Sequence, residues 1–493
     1  MPKDEQQKKA ADDKEKKASP PVEEQLVETK HSIRIGEKAV KYTATAGTFV
    51  LKEEDDEKGE PKEKVSLFYV AYTAARPQGG KPRPITFSFN GGPGSSSVWL
   101  HLGILGPRRI KMLDGGGAPP PPYELVDNKQ SLLDVTDLVF IDPVTTGYSR
   151  SVPGEEAKQF HGFQKDMEIV GEFIRLYTTR HMRWTSPKFL IGESYGTTRA
   201  AALSGHLQER HGLYLNGIML ISSILDFSTA FFKPGNDLPY IMFLPTYAAT
   251  AWYHKKLDAE LQRNLQRTLK MVERFAKEEY TLALMKGDGL GPTERKEIVR
   301  QLARFTGLSP EYIERTNLRI EIHRFTKELL RAQRRTVGRL DSRFTSADRD
   351  AAGEVPEYDP SYAAIQGPFT AAFNQYVREE LKYKSDLLYE ILSSRVHPWS
   401  FKEHENQYVN VAETLRKAIS INPALKVFVA NGFYDLATPY MATQYTFDHL
   451  QLEPHLRQNI SMEYYEAGHM MYIHQPSLLA QKRHLANFIK KFS

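Results

Sequence analysis

Phe189-Leu190-Ile191-Gly192-Glu193-Ser194-Tyr195-Gly196 is the stretch on which the reading of this chain turns. Three apolar residues suit a buried strand, and Thr197 to Gln208, rich in small residues, can begin a helix. Strand, sharp turn and helix form the context in which G-x-S-x-G makes a nucleophile elbow, with the serine hydroxyl held out of a strained turn. Glycines flank the serine because the turn brings backbone segments too close for side chains. The helix N-terminus behind it offers positive potential to a developing oxyanion. The competing reading, a tight turn carrying an ordinary serine, has to be weighed against the rest of the chain.

Outward from the elbow, short apolar runs suit buried strands at Ile85 to Phe89, Leu138 to Ile141, Phe189 to Ile191, Ile218 to Ile221 and Val427 to Ala430, with another at Met462 to Tyr465. A helix is predicted over Gln164 to Arg180, where Met167, Val170, Phe173, Ile174 and Tyr177 recur at helical spacing. Strands alternating with helices argue for a parallel sheet. Before them, Ile33 to Ile35, Val40 to Thr45, Phe49 to Lys52 and Val65 to Thr73 alternate, with turn-like breaks at Gly36, Gly47 and Asp55 to Gly59. These runs predict an antiparallel start to the sheet.

From Asp226 to His404 the alternation stops. Helix-like segments fill it, among them Asp258 to Tyr280, Thr293 to Phe305 and Asn317 to Arg335, and a helical insertion is expected. Arg331, Arg334, Arg335, Arg339 and Arg343 read as a solvated basic face rather than an anion site. Asp341, Asp348, Asp350 and Glu354 lack calcium-loop spacing and read as a turn-rich surface. Four parts follow: a disordered charged tail at 1–25, a first core segment at 26–225, the insertion or cap at 226–404 and a second core segment at 405–493.

Composition narrows the chemistry. The 493 residues include no cysteine, which excludes disulfides, thiolate nucleophiles and cysteine metal sites. A net charge of +5, from 66 basic against 61 acidic residues, makes no case for nucleic acid. No apolar run is long enough to span a bilayer, and Met1 opens a polar, lysine-rich stretch. The chain as given is therefore expected to be soluble and cytoplasmic, or periplasmic or secreted where a leader preceded Met1.

A serine nucleophile needs a base and an acid. Asn431-Gly432-Phe433-Tyr434-Asp435 follows an apolar run, so Asp435 falls at a strand's carboxyl end, where open α/β sheets place their sites. Tyr464-Tyr465-Glu466-Ala467-Gly468-His469 puts a histidine after another such run, with His474 as the fallback. The order serine, acid, histidine is that of α/β-hydrolases. Phe89-Asn90-Gly91-Gly92-Pro93-Gly94-Ser95-Ser96-Ser97 is a glycine-rich loop after a strand. No Gly-Lys-Ser or Gly-Lys-Thr follows, so its N–H groups suit an oxyanion hole rather than a phosphate cradle.

Asn90 to Ser97, Gly192 to Gly196, Asp142-Pro143-Val144-Thr145-Thr146-Gly147-Tyr148-Ser149, Asp435 and Ala467-Gly468-His469-Met470 together resemble the serine carboxypeptidase family, in that family's order and over most of the chain. The resemblance implies an α/β-hydrolase fold: a central, mostly parallel sheet flanked by helices, with a helical cap. It implies a triad of Ser194, Asp435 and His469, and an oxyanion hole from the N–H groups of Gly92 and Tyr195. It also implies that Asn90, Gly91 and Glu193, with Met470 nearby, hold a substrate's terminal carboxylate. Two departures stand out. Ser95 replaces the family's cysteine, and Ile104 stands where an acid usually precedes Leu105-Gly106-Pro107, close to the elbow glutamate.

The expected activity is removal of C-terminal residues from peptides through an acyl-enzyme, with no cofactor and no metal. The expected partner is a peptide with a free C-terminus, with neither nucleic acid nor membrane; a homodimer stays open. An esterase or acyltransferase could use the same triad, and a binding protein could use the same fold without catalysis.

Overall fold

The computed structural model describes residues 22–54, 59, 61–75, 79 and 82–493; residues 1–21 of the charged tail and most of the turn at 55–59 lie outside these. Nine strands form the path of the main sheet: β1 (Leu26–Ile35), β2 (Lys38–Glu54), β3 (Pro61–Ala74), β4 (Ile85–Phe89), β5 (Asp137–Ile141), β6 (Lys188–Ser194), β7 (Gly217–Ser223), β8 (Lys426–Gly432) and β9 (Ile460–Tyr465). Their spatial order is β1-β2-β3-β5-β4-β6-β7-β8-β9. The pairings are antiparallel from β1 to β5 and parallel from there to β9.

Residues alternate between the two faces of the sheet. Phe189, Ile191, Met219 and Ile221 point into one core, with α6 (Gln475–Lys491) supplying Leu485 and Phe488. Leu190, Ile218 and Leu220 point into the other, against α1 (Phe163–Arg180), α2 (Tyr195–His211) and α5 (Ala412–Ile421). Each such buried side chain contributes about 1.5–3 kcal/mol. The strands are therefore apolar on both faces, which is why they read as continuous runs.

Between β7 and β8 the chain is mainly helical and includes α3 (Leu238–Tyr253) and α4 (Pro360–Glu379). The earlier part of this region has its own apolar core, joined to Phe433, Tyr434 and Leu436 beside Asp435. α4 instead packs Phe369 and Phe373 into the sheet's first core, near Trp99.

Three local expectations change. Gly47 lies inside β2 rather than in a turn; a Cβ there would stand 2.4 Å from the Gln25 carbonyl oxygen, so the glycine admits a crossing segment. Residues 22–25 are fastened to the sheet, Gln25 by its N–H to Thr48 Oγ1 and its carbonyl to Thr48 N–H. Asn317 to Arg335 is not one helix: Asn317 and Leu318 have positive φ, and the α-helix spans only Ile322–Glu328.

Candidate active site

β6 runs straight into α2, and Ser194 joins them at φ 60°, ψ −130°, a conformation that costs a non-glycine residue of order 1–3 kcal/mol. A Cβ on Gly192 would lie 2.0 Å from the Gly196 carbonyl oxygen, which is the physical reason for that glycine. Tyr195 opens α2, so its N–H has no intrahelical acceptor. The loop after β4 presses on this turn, and a Cβ on Gly91 would stand 2.4 Å from the Tyr195 nitrogen.

The residues expected to complete a triad with Ser194 follow β8 and β9. Asp435 is fully buried, and His469 Nδ1 lies 2.7 Å from its Oδ2. Asp435 Oδ1 accepts from the N–H groups of Ala437 and Thr438 at 2.8 and 3.0 Å, and Thr438 Oγ1 donates to Oδ2 at 2.6 Å. Burial works against charge on His469, but Asp435 and then Glu193 outweigh it, so the imidazole titrates above its ordinary range, with Arg339 opposing. The ring's backbone is clamped by Leu340, whose carbonyl accepts from His469 N–H at 2.7 Å, and by Ser222, whose hydroxyl donates to the His469 carbonyl at 2.7 Å. The fallback His474 bonds Ser477 instead.

Ser194 and His469 line one cavity of about 700 Å³ together with Asn90, Gly91, Gly92, Glu193, Tyr195 and Met470. Asp435 stands behind His469, away from that space. Asn90 Nδ2 donates to Glu193 Oε1 at 2.9 Å, and Asn90 Oδ1 accepts from Leu100 N–H at 3.1 Å. Burial pushes Glu193 up to about 7 against stabilisation by His469, Tyr472 and Asn90, while Asp435 adds to the rise. The Tyr472 hydroxyl is turned toward Glu193, although neither it nor Glu193 Oε2 has a fully formed hydrogen bond. Its ring occupies the space over Gly103, beside the apolar Ile104; a Cβ on Gly103 would meet Tyr472 at 2.2 Å.

Several supports escaped the sequence reading. Beneath the elbow, Arg199 bonds Asp166 at 2.8 Å and the Asn90 carbonyl at 2.6 Å, both side chains being buried. Only an arginine in the first turns of an otherwise small-residue helix hinted at this. Asp142 accepts from Ser97 N–H and Oγ, each at 2.8 Å, and so ties the 142–149 motif to the glycine-rich loop; burial, opposed chiefly by those Ser97 bonds, raises it to about 6. Asp341 is buried rather than on a turn-rich surface: it accepts from Gly468 N–H at 3.1 Å and pairs with Arg343 at 2.6 Å. No cluster of three or more histidine, aspartate or glutamate side chains suited to a metal occurs among the described residues. No helix among them is long and apolar enough to cross a membrane.

The arginine pair allows a stability test. Arg199→Met should destabilise by about 3–5 kcal/mol in urea unfolding, because it strands Asp166 as an unpaired buried charge. Adding Asp166→Leu should recover most of that loss; a double variant no more stable than Arg199→Met would show that packing, not the stranded charge, sets the cost.

A buried Asp-His pair whose histidine shares a cavity with a strained elbow serine can perform nucleophilic acyl transfer. The solved KEX1Δp, a prohormone-processing carboxypeptidase from Saccharomyces cerevisiae, has the same fold at TM-score 0.54 and 16% identity, over 91% of each chain. Serine carboxypeptidase-like 29 of Arabidopsis thaliana is 28% identical over 170 residues, 33% of either chain. Pheromone-processing carboxypeptidase KEX1 of Saccharomyces cerevisiae is 30% identical over 157 residues, 30% of this chain and 20% of that protein. The chain thus matches a third or less of the length of these curated relatives. The sequence pattern described as serine carboxypeptidase, by contrast, matches residues 57–488, which takes in the glycine-rich loop, the elbow, the acid and the histidine, and with that span the chain belongs to the serine carboxypeptidase family.

Proposed function

We propose that the protein is a serine-type carboxypeptidase acting on peptides with a free C-terminus. The observation that carries this reading is the pairing of Asn90 with a Glu193 poised near neutrality, in the cavity that holds Ser194 and His469. A buried glutamate beside an incoming carboxylate is tenable only when one of the two is protonated, since like charges a few ångströms apart cannot both stay ionised. Protonated Glu193 then donates to the terminal carboxylate alongside Asn90. Ser194 Oγ attacks the last peptide carbonyl while His469 takes its proton, and the N–H groups of Gly92 and Tyr195 receive the oxyanion. His469 passes the proton to the departing amino acid, and water, activated by the same imidazole, frees the acyl group.

The test compares a blocked dipeptide acid with its amide and a simple ester. Preference for the acid supports the proposal; activity on esters alone selects the esterase, and silence on all three the binding protein. The pH profile adds a further expectation. Activity on free-acid peptides should fall as pH rises through the Glu193 ionisation, and activity on amides or esters should fall less. Glu193→Gln donates at every pH, so it should flatten the alkaline limb and keep kcat within about tenfold, or about 1.4 kcal/mol. One shared profile for acid and amide, unmoved by Glu193→Gln, would remove the carboxylate clamp.

A further inference from the structure

The five arginines of the insertion do not form one face. Arg331 pairs with Glu328, Arg335 reaches Thr345 Oγ1 at 2.9 Å, and Arg343 is buried against Asp341. Arg334 is exposed and does not line the cavity. Arg339 alone lines the catalytic cavity, exposed, and among the described residues its guanidinium has no ion-pair or hydrogen-bond partner.

Its backbone is nonetheless pinned at the triad. Arg339 carbonyl accepts from Leu436 N–H at 3.0 Å, next to Asp435, and the neighbouring Leu340 carbonyl holds His469 N–H. Arg339 N–H donates to Asp359 Oδ1 at 3.1 Å. A cation is thus fixed at the root and free at the tip, a few residues from the reacting centre.

The cavity has two walls, and Arg339 belongs to a definite one. On one side Tyr195 meets Phe227 and Phe401 edge-on, and Phe227 in turn meets Phe231 and Phe401 at a tilt. On the other, Asp359 caps α4, the α4 residue Tyr362 packs on Trp99 with ring centroids 6.3 Å apart, and Trp99 Nε1 donates to Ser95 Oγ in the glycine-rich loop that carries Asn90. Arg339 sits on this second wall, the wall of Asn90, Glu193 and Met470. Given the carboxylate clamp of the proposed function, on which this step rests, the residue released from the substrate lies here and its side chain meets Arg339.

We infer that Arg339 selects substrates whose C-terminal residue bears an acidic side chain. The acidic and histidine side chains that share the cavity make no ion pair with its guanidinium. The Asp359 carboxylate turns both oxygens to the N–H groups of Arg339, Leu340 and Ser361 and to the Ser361 hydroxyl, Glu193 is occupied with Asn90 and the terminal carboxylate, and His469 faces the scissile bond. The remaining one, His397, lies on the segment that leads to Trp399 and Phe401 of the aromatic wall.

The test uses the full-length protein and blocked dipeptide acids ending in Glu, Gln or Lys, read as ratios of kcat/KM within each variant so that any common effect cancels. Wild type should favour Glu over Gln by about five- to tenfold, the range between an exposed ion pair and a charge-assisted hydrogen bond, and less at high salt. Arg339→Gln should bring the Glu to Gln ratio to about one, Arg339→Lys should keep part of it, and Arg339→Glu should favour Lys. A Glu to Gln ratio unmoved by Arg339→Gln and Arg339→Glu, in variants with native circular dichroism, would overturn the assignment, as would a preference that follows the residue before the scissile bond. The clamp is judged separately, from wild-type preference for acid over amide with a C-terminal Leu. Its loss would sink the carboxypeptidase reading, whereas its survival beside an unmoved ratio would sink only the role of Arg339.

Discussion

Ser194→Ala is expected to abolish nearly all turnover, leaving about 10³- to 10⁴-fold over the uncatalysed rate from the oxyanion hole and binding alone. The fold should survive, because the side chain is only half-buried at the tip of the elbow and the turn is made by the glycines and by α2. A phosphonate label, monitored by peptide mass, should attach at Ser194 and nowhere else. One-tenth of the parent's activity in pure Ser194→Ala would reject the nucleophile. The strained backbone offers a companion measurement. Ser194→Gly, equally inactive, should withstand more urea than Ser194→Ala by about 1 kcal/mol, since glycine adopts positive φ without the penalty of a Cβ.

Asp435→Asn is expected to lower kcat by about 10⁴ with little change in KM. The geometry explains why so small a change is so damaging. Two backbone N–H groups, of Ala437 and Thr438, point at Oδ1, so the asparagine oxygen must stay there and its NH₂ must take the place of Oδ2. That amide then donates to His469 Nδ1, which forces the proton onto Nε2, and the imidazole can no longer accept from Ser194. Removing the carboxylate also removes the main influence raising His469, so the acid limb of any residual activity should move to lower pH. An effect confined to KM would place Asp435 in the substrate pocket and require another acid behind the histidine.

Much of the proposed site was legible because its residues stand in short segments at strand ends. Phe189 to Ile191 and the two glycines around Glu193-Ser194-Tyr195 report a strand, a tight turn and a helix together, as β6, Ser194 and α2 form them. Asp435 and His469 could be chosen because each follows an apolar run that pairs into the sheet, as β8 and β9 do. The insertion was legible in kind but not in detail. α3 carries Pro245 within it and is buried on nearly every side, so it lacks the amphipathic stripe that marks a surface helix; α4 does bury one face, at Ile365, Phe369, Phe373 and Tyr376, but carries Pro368 within that stripe. Asn317 to Arg335 shows helical composition, yet positive φ at Asn317 and Leu318 interrupts it, a backbone choice that composition does not encode.

The sequence by itself determined the alternation of strands and helices, the absence of thiol chemistry, and the choice and chain order of Ser194, Asp435 and His469 as the proposed triad. These follow from residue type and near-neighbour spacing, which act over a few bonds. Tertiary structure alone decided which distant groups brace them: Ser222 and Leu340 holding His469, Arg199 joining Asp166 to the loop of Asn90, and Asp341 drawn from an apparent acidic surface to the back of Gly468. It also separated Arg339 from four other arginines and set it in the cavity. Such partners lie tens to hundreds of residues apart, and a buried polar group must find a partner wherever packing brings one, so their pairing is a property of the closed fold and leaves no local pattern in the chain.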